Sequence, residues 1–339
     1  MKGRIDEIRN RRTLDDEGLR TLLETRDTEL VEALHAQARE VAEERFGKKV
    51  YLRALIEWSN VCRNDCLYCG IRKSNRSVHR YSLTRGEILS ACEKAWTQGL
   101  RTFVLQGGEN PPAALELAGT VAEIRASWPE AAITLSLGEL PYETYKLLKR
   151  SGADRYLLRH ETASPEHYAR LHPAGMRLES RIRCIRELRR LGFQTGVGMM
   201  VGSPFQTTEE IIRDLRFIES VRPQMVGIGP FIPAKDTPFA DQPAGSAGTT
   251  LRLYSILRLM FPNLLIPATT ALSTLLEGGR QAGILAGANV IMPSFTPASR
   301  RADYALYEGK SHEELPLIEQ ELTAIGYGIS RTRGDYTEN

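Results

Sequence analysis

The chain has 339 residues, 42% hydrophobic and 26% charged, an ordinary globular balance that excludes a disordered or collagen-like chain. Forty-five Lys and Arg against 42 Asp and Glu leave a net charge of +3, without the concentrated basic face expected of a nucleic-acid reader. Five cysteines, three of them within eight residues, are not a disulfide framework and point to metal chemistry in a reducing cytoplasm. The first twenty residues are charged throughout and hold no signal-peptide core. The longest uncharged run, Leu259 to Leu276, carries Pro262, Asn263 and Pro267. It reads as helix end, turn and strand, so no membrane span is expected.

The N-terminal stretch reads as helical. Thr13 to Glu17 starts one helix with a capping-box-like pattern, and Asp27 to Phe46 follows as a second. From residue 50 short apolar runs alternate with amphipathic stretches. Strands are predicted at Val50–Trp58, Thr102–Gln106, Ala132–Leu137, Arg155–Arg159, Thr195–Val201, Met225–Gly229, Leu264–Ala268 and Asn289–Met292. Helices are predicted at about 84–98, 112–127, 141–150, 179–191, 207–220, 249–260, 277–286 and 311–325. Gly99, Gly152, Gly192 and Gly287 fall just past helix ends, where a left-handed terminator belongs. The alternation predicts a single parallel (β/α)8 barrel of the TIM type, although an open doubly wound sheet also alternates. The expected division is a helical extension over 1–49, the barrel over 50–310, and a last helix and tail over 311–339.

A barrel puts its chemistry at the C-terminal ends of its strands. The polar and glycine-rich motifs fall there, and Cys62-x3-Cys66-x2-Cys69 after the first strand is the strongest. Three thiolates in so short a loop can hold three irons of a 4Fe–4S cube, and no fourth cysteine is near. The last iron is then open to a small ligand. A zinc knuckle completed by His79 is the bland alternative, but it leaves the rest of the chain unexplained. Cys92 and Cys184 fall in predicted helices and read as core filling.

The loop Cys62-Arg-Asn-Asp-Cys66-Leu-Tyr68-Cys69, with its aromatic residue before the last cysteine, resembles the radical S-adenosylmethionine (SAM) superfamily. The resemblance implies that SAM chelates the open iron and is cleaved by one electron to a 5′-deoxyadenosyl radical. Gln106-Gly107-Gly108-Glu109 looks like the family's GGE motif, where bare backbone approaches the SAM amino group. Glu161 resembles the acid that contacts the ribose or amino group. Read alone, it is a surface carboxylate near a helix start. Arg181 resembles the arginine that meets the SAM carboxylate, and only the resemblance selects it among Arg177, Arg181, Arg183 and Arg186. Tyr68, Thr134, Arg159 and Met225 complete the SAM-binding set that the resemblance implies.

The resemblance narrows further. Thr134 to Glu139, Ala153 to Thr162, Met225 to Pro233, Ile266 to Ala271 and Gly287 to Pro293 look like the FeFe-hydrogenase maturase family HydE. It covers about residues 50 to 310 and implies an organometallic substrate, an iron carrying cyanide, carbon monoxide and cysteine. That substrate would come from the partner maturase HydG, the product would pass to HydF, and a flavodoxin or ferredoxin would supply the electron. The implied substrate-facing residues are Gln106, Thr134, Arg155, Thr269, Thr270, Tyr304 and Tyr307. Arg155 suits an anionic substrate as a fixed cation, and the hydroxyls and amide as aimed donors. The threonines read equally well as strand-end residues. Some family members carry a second cysteine cluster near the C-terminus, whereas residues 311–339 contain no cysteine here. Some also have serine where this chain has Gly107. Biotin synthase, a relative, draws sulfur from a second cluster for which the cysteines are lacking. Methylornithine synthase needs none and stays open, as does a non-catalytic iron–sulfur carrier.

Overall fold

Three helices precede the first strand: α1 (Lys2–Arg11), α2 (Asp16–Glu24) and α3 (Thr28–Phe46). Asp15 and Asp27 cap the second and third by accepting from the Gly18 and Leu30 amides. The computed structural model describes residues 2–310 and 314–338. A stave interrupted at Arg53 follows, made of β1 (Lys49–Leu52) and β2 (Ala54–Ser59). Next come α4 (Arg85–Thr97), β3 (Thr102–Gly107), α5 (Pro111–Ser127), β4 (Ala132–Ser136), α6 (Tyr142–Arg150) and β5 (Arg155–Leu157). The middle of the chain forms α7 (Pro165–Leu171), α8 (Leu178–Arg190), β6 (Gln194–Val197), β7 (Met200–Val201), α9 (Thr208–Val221), β8 (Met225–Val226) and β9 (Gly229–Pro230). The last elements are α10 (Ala247–Met260), α11 (Thr270–Leu275), α12 (Gly279–Leu285), β10 (Val290–Ile291), α13 (Ala298–Arg301), α14 (Leu315–Ala324) and β11 (Gly328–Ser330).

Parallel pairing runs β2–β3–β4–β5–β6–β8. Residues 264–268 add a seventh stave through the Met225–Leu265 and Pro267–Val290 bridges, and β10 pairs with β1 as the eighth. The ring closes where the Leu55 amide donates to the Pro293 carbonyl at 2.9 Å. The expected (β/α)8 barrel is therefore present. Two predicted strands are shorter than their apolar runs. The run from Thr195 breaks at Gly198 and that from Met225 at Gly227, where the two staves come so close that a Cβ on Gly198 would lie 2.0 Å from the Gly227 carbonyl oxygen.

Outward side chains of the staves and the inner faces of the helices form one continuous core between barrel and helices, including Phe103, Ile133, Leu135, Val197 and Ile256. The packing of α3 along α10 ties the N-terminal helices to the barrel. Among the described residues, no helix is long and apolar enough to cross a membrane.

The 311–339 segment does more than the expected helix and tail, and residues 311–313 of that expected helix lie outside the described residues. β11 lies parallel to β1, with Tyr51 opposite Ser330. The chain then crosses beneath the barrel. The Arg333 carbonyl accepts from Thr102 Oγ1 and Arg155 Nη2, each at 2.8 Å, and the Tyr336 amide donates to Gln194 Oε1 at 3.2 Å. Gly334 turns under the Tyr51 ring at φ +57°, where a Cβ would lie 2.7 Å from that ring. This segment is the floor of the barrel.

Candidate active site

The staves open at their C-terminal ends onto a cavity of about 360 Å³. The loop after β2 carries Cys62, Cys66 and Cys69, all half-buried and unpaired. It is fixed before anything binds. The Arg80 guanidinium donates to the carbonyls of Asn60, Ile71, Arg72 and Asn75. Asp65 accepts from Arg72 Nε at 2.7 Å and from Ser74, so its carboxyl sits well below the usual range. The Gly70 amide donates to Leu306, and a Cβ there would lie 2.1 Å from the Ala305 oxygen. From the other side α7, which the sequence reading missed, supports the loop: the Leu67 amide donates to the Leu171 carbonyl at 3.0 Å, and the Tyr68 hydroxyl meets His172 Nε2 at 3.2 Å.

Burial raises the pKa of all three thiols, that of Cys66 to about 12. Each is therefore a neutral thiol until a metal charge replaces its proton. Among the described residues, no group of three or more Cys, His, Asp or Glu is gathered around a single-ion position. His79, the fourth ligand of the zinc alternative, is exposed and faces Asp303 at 3.2 Å.

The end of β3 supplies Gln106, Gly107, Gly108 and Glu109. Both glycines are demanded by the protein itself. A Cβ on Gly107 would lie 2.5 Å from Trp58 Nε1, and one on Gly108 2.4 Å from the Val61 oxygen. The Glu109 amide points at Cys62 Sγ, 3.3 Å away. Its carboxylate is a buried brace: Oε1 accepts from Arg63 Nε at 2.9 Å and Oε2 from the Glu139 amide at 2.7 Å.

Past β5 the chain turns through Glu161 at φ +66°, a left-handed conformation that non-glycine residues adopt at a cost. The strain aims the Glu161 carboxylate into the cavity, with Oε2 3.2 Å from Arg159 Nη2. From α8, Arg181 comes within 3.0 Å of Glu139. Glu161 Oε2, Arg159 Nε and Nη2, and Arg181 Nε are all buried without a hydrogen bond. Groups of both charges with unused hydrogen-bonding capacity thus face one chamber, a pattern that calls for a ligand.

The opposite wall holds Thr269, Thr270, Tyr304 and Tyr307. Gln106 Nε2 donates to the Tyr304 hydroxyl at 3.3 Å. Behind them is a pair absent from the sequence reading. Lys310 lines the cavity and forms an ion pair with Glu57, which is fully buried. Glu57 Oε2 also accepts from Thr296 at 2.9 Å and from Ser294 at 3.3 Å. A glutamate inside the otherwise apolar run 54–58 was the signal available.

Three expected site residues belong elsewhere. Arg155 is the first residue of β5 and therefore sits at the floor, wholly buried, with Nη2 2.7 Å from Asp335 Oδ1. It is not the cavity's fixed cation. Met225 is likewise the first residue of β8, and its sulfur accepts from Arg53 Nη1 at 3.1 Å. Thr134 is level with Arg155 in the ladder, below the cavity, with its hydroxyl buried and unpartnered. All three face inward as expected, but below the level of the cavity. Tyr68, Gln106, Gly107, Gly108, Glu109, Arg159, Glu161, Arg181, Thr269, Thr270, Tyr304 and Tyr307 do line one chamber, with Cys62 and Cys69.

Known proteins resemble this chain over most of its length. The radical SAM superfamily model matches residues 56–218. The [FeFe] hydrogenase maturase subunit HydE of Thermotoga maritima is 44% identical over 91% of this chain and 89% of its own. The 3-methylornithine synthase of Methanosarcina barkeri is 30% identical over 94% of this chain and 91% of its own. The crystal structure of methylornithine synthase (PylB) superposes with a TM-score of 0.85 at 27% identity, covering 96% of this chain and 97% of that one. That of the maturase HydG has the same score at 21% identity, covering 98% and 76%, and shows the fold alone. The superfamily implies a 4Fe–4S cluster and SAM, and the residues present fit both. Cys62 and Cys69 line the chamber with Cys66 on the same loop, and the buried carboxylate and guanidinium atoms left without hydrogen bonds suit a zwitterion. The chain belongs to the radical SAM superfamily and, within it, to the HydE family.

Proposed function

We propose that the protein is the radical SAM enzyme of FeFe-hydrogenase maturation, acting on a mononuclear iron complex of cyanide, carbon monoxide and cysteine. The observation that carries this reading is its near end-to-end relation to a HydE maturase. Cys62, Cys66 and Cys69 would hold one 4Fe–4S cluster, beside the residues that would hold SAM. When bound, cluster and SAM supply a 5′-deoxyadenosyl radical by one-electron cleavage of the sulfonium.

The chain's own residues orient and enclose. Glu161, Arg159 and Arg181 meet the charged groups of SAM, beside Tyr68 and the bare backbone of Gly107 and Gly108. Glu109 acts indirectly, by bracing Arg63 of the cysteine loop against the Glu139 amide. Gln106, Thr269, Thr270, Tyr304 and Tyr307 form the substrate wall and keep water from the radical. Lys310, held by Glu57, takes the place of Arg155 as a cation for an anionic substrate. HydG supplies that substrate, HydF receives the product, a flavodoxin or ferredoxin delivers the electron, and the reaction belongs in the cytoplasm.

An anaerobic maturation assay tests this. Reconstituted protein is combined with apo-hydrogenase, HydG, HydF, SAM and reductant. Hydrogen evolution that depends on this protein and on SAM is the expected result. Failure where another HydE succeeds would turn the assignment towards methylornithine synthase, which whole-length similarity also favours. Lysine-stimulated 5′-deoxyadenosine formation would then be sought. A carrier of clusters would have no use for the enclosed chamber beside the thiols.

Gly108→Ala is expected to lose most of its cluster on reconstitution. The new Cβ would crowd the Val61 oxygen and come 2.8 Å from Cys62 Cβ, displacing the ligand loop. Iron content measures the loss, and a full complement would show that the loop can give way.

A further inference from the structure

We propose that the exposed basic turn carrying Lys73 and Arg76 is the docking surface for an acidic one-electron carrier protein. The proposal rests on the radical SAM reading, which requires a cluster that accepts an electron.

From Cys66 to Gly86 the chain has no Asp or Glu, but it has Arg72, Lys73, Arg76, Arg80 and Arg85. Three of these cations are used internally. Arg72 is buried against Asp65, Arg80 holds four carbonyls, and Arg85 lies 3.6 Å from Glu123. Lys73 and Arg76 remain, both exposed, and among the described residues no carboxylate lies within ion-pair distance of either. A run of charge on a protein surface is ordinarily only solvated, so the position of this one decides its meaning.

The turn is built onto the cysteine loop. The Lys73 amide donates at 2.8 Å to the carbonyl of Asn64, which lies between Cys62 and Cys66. Lys73 follows Cys69 by only four residues, and Ile71 between them lines the cavity. The backbone that carries the two free cations is thus joined directly to the loop that carries the thiols. That backbone is rigid: Asn75 Nδ2 donates to the Gly70 carbonyl at 2.8 Å, the Asn75 amide to Arg72, and the Ser77 amide to Asn75 Oδ1 at 3.0 Å. A preorganised cationic patch this close to a buried acceptor favours an anionic protein that must approach closely. One electron leaves the reduced carrier and enters the cluster. The carrier is oxidised by one electron, and no bond is made or broken.

The test uses the reconstituted holoenzyme, an acidic flavodoxin as probe, and the charge-reversed double variant Lys73→Glu/Arg76→Glu. Calorimetric binding of oxidised flavodoxin is expected to weaken about tenfold, and the second-order rate of cluster reduction by reduced flavodoxin to fall about ten- to a hundredfold at low salt. Both differences should collapse on the order of 1 M salt, where the Debye length is about 3 Å. Lys73→Arg should behave as the parent protein. 5′-Deoxyadenosine formed under saturating dithionite should be unchanged in the double variant. Its absence from the parent protein would refute the radical SAM reading instead, and the binding assay would still decide the docking. Unaltered flavodoxin binding and reduction in the double variant would overturn the proposal. So would a variant defect confined to binding of a single-stranded RNA.

Discussion

Cys66→Ala is expected to give a folded barrel that holds no cluster able to cleave SAM. The three cysteines are the only ones near the chamber, since Cys92 and Cys184 are buried in α4 and α8. A cube deprived of one of three protein ligands has no replacement among the residues of the loop. The cluster-free protein should be little affected, because the loop is held by Arg80, Asp65 and the Gly70–Leu306 contact rather than by the thiols. Thermal unfolding of cluster-free parent and variant should therefore agree within about 1 kcal/mol, while iron content and 5′-deoxyadenosine formation fall to background. A variant that still cleaves SAM at the parent rate would overturn the ligand assignment.

Asp335→Ala is expected to be the most destabilising change outside the core. It leaves Arg155 wholly buried without its carboxylate, near Arg53, whose Nε and Nη2 already lack partners. Breaking a buried pair costs about 3–5 kcal/mol, and the low end applies because Asp335 is 34% exposed. About 3 kcal/mol corresponds to a Tm drop of roughly 5 °C or more. The double variant Arg155→Met/Asp335→Leu should recover most of the loss, since apolar replacement of a buried pair is often neutral. Acid should mimic the single change. Burial opposes the Asp335 charge, but Arg155 and Arg333 outweigh it and hold its carboxyl below the usual range. The pair's contribution is thus complete above the ordinary carboxyl pKa of about 4 and is lost as pH falls through the depressed value. Calorimetry at several pH values checks both the size and the sign, and a Tm unmoved by Asp335→Ala would leave the floor without its proposed anchor.

The barrel was legible because its staves and helices alternate at lengths the hydrophobic pattern records. Gly99, Gly152, Gly192 and Gly287 do terminate helices with positive φ. The thiol loop was legible from spacing alone. What the pattern could not show is depth along a stave. Arg155 and Glu161 are six residues apart, yet one is at the floor and the other at the mouth. The resemblance named both as site residues, and only the register of β5 separates them. Lys310 and Glu57 are 253 residues apart, and no local signal announces such a pair. The seventh stave is held by isolated bridges rather than a ladder, so its apolar run gave the right place but little regular strand.

The floor has a consequence for how the protein is made. Synthesis is vectorial, and domains tend to fold from the N-terminal side as the chain emerges. Every stave of this barrel is translated before Gly334 and Asp335, so a nascent barrel can close its ring while its underside still gapes around Arg53 and Arg155. Completion waits for a contact between β1 and β11, which joins Lys49 to Gly328 and is among the most non-local in the chain. The ring can thus assemble early on the ribosome, but the two arginines at its floor stay wet until the segment around Asp335, made after every stave, swings underneath and seals them in.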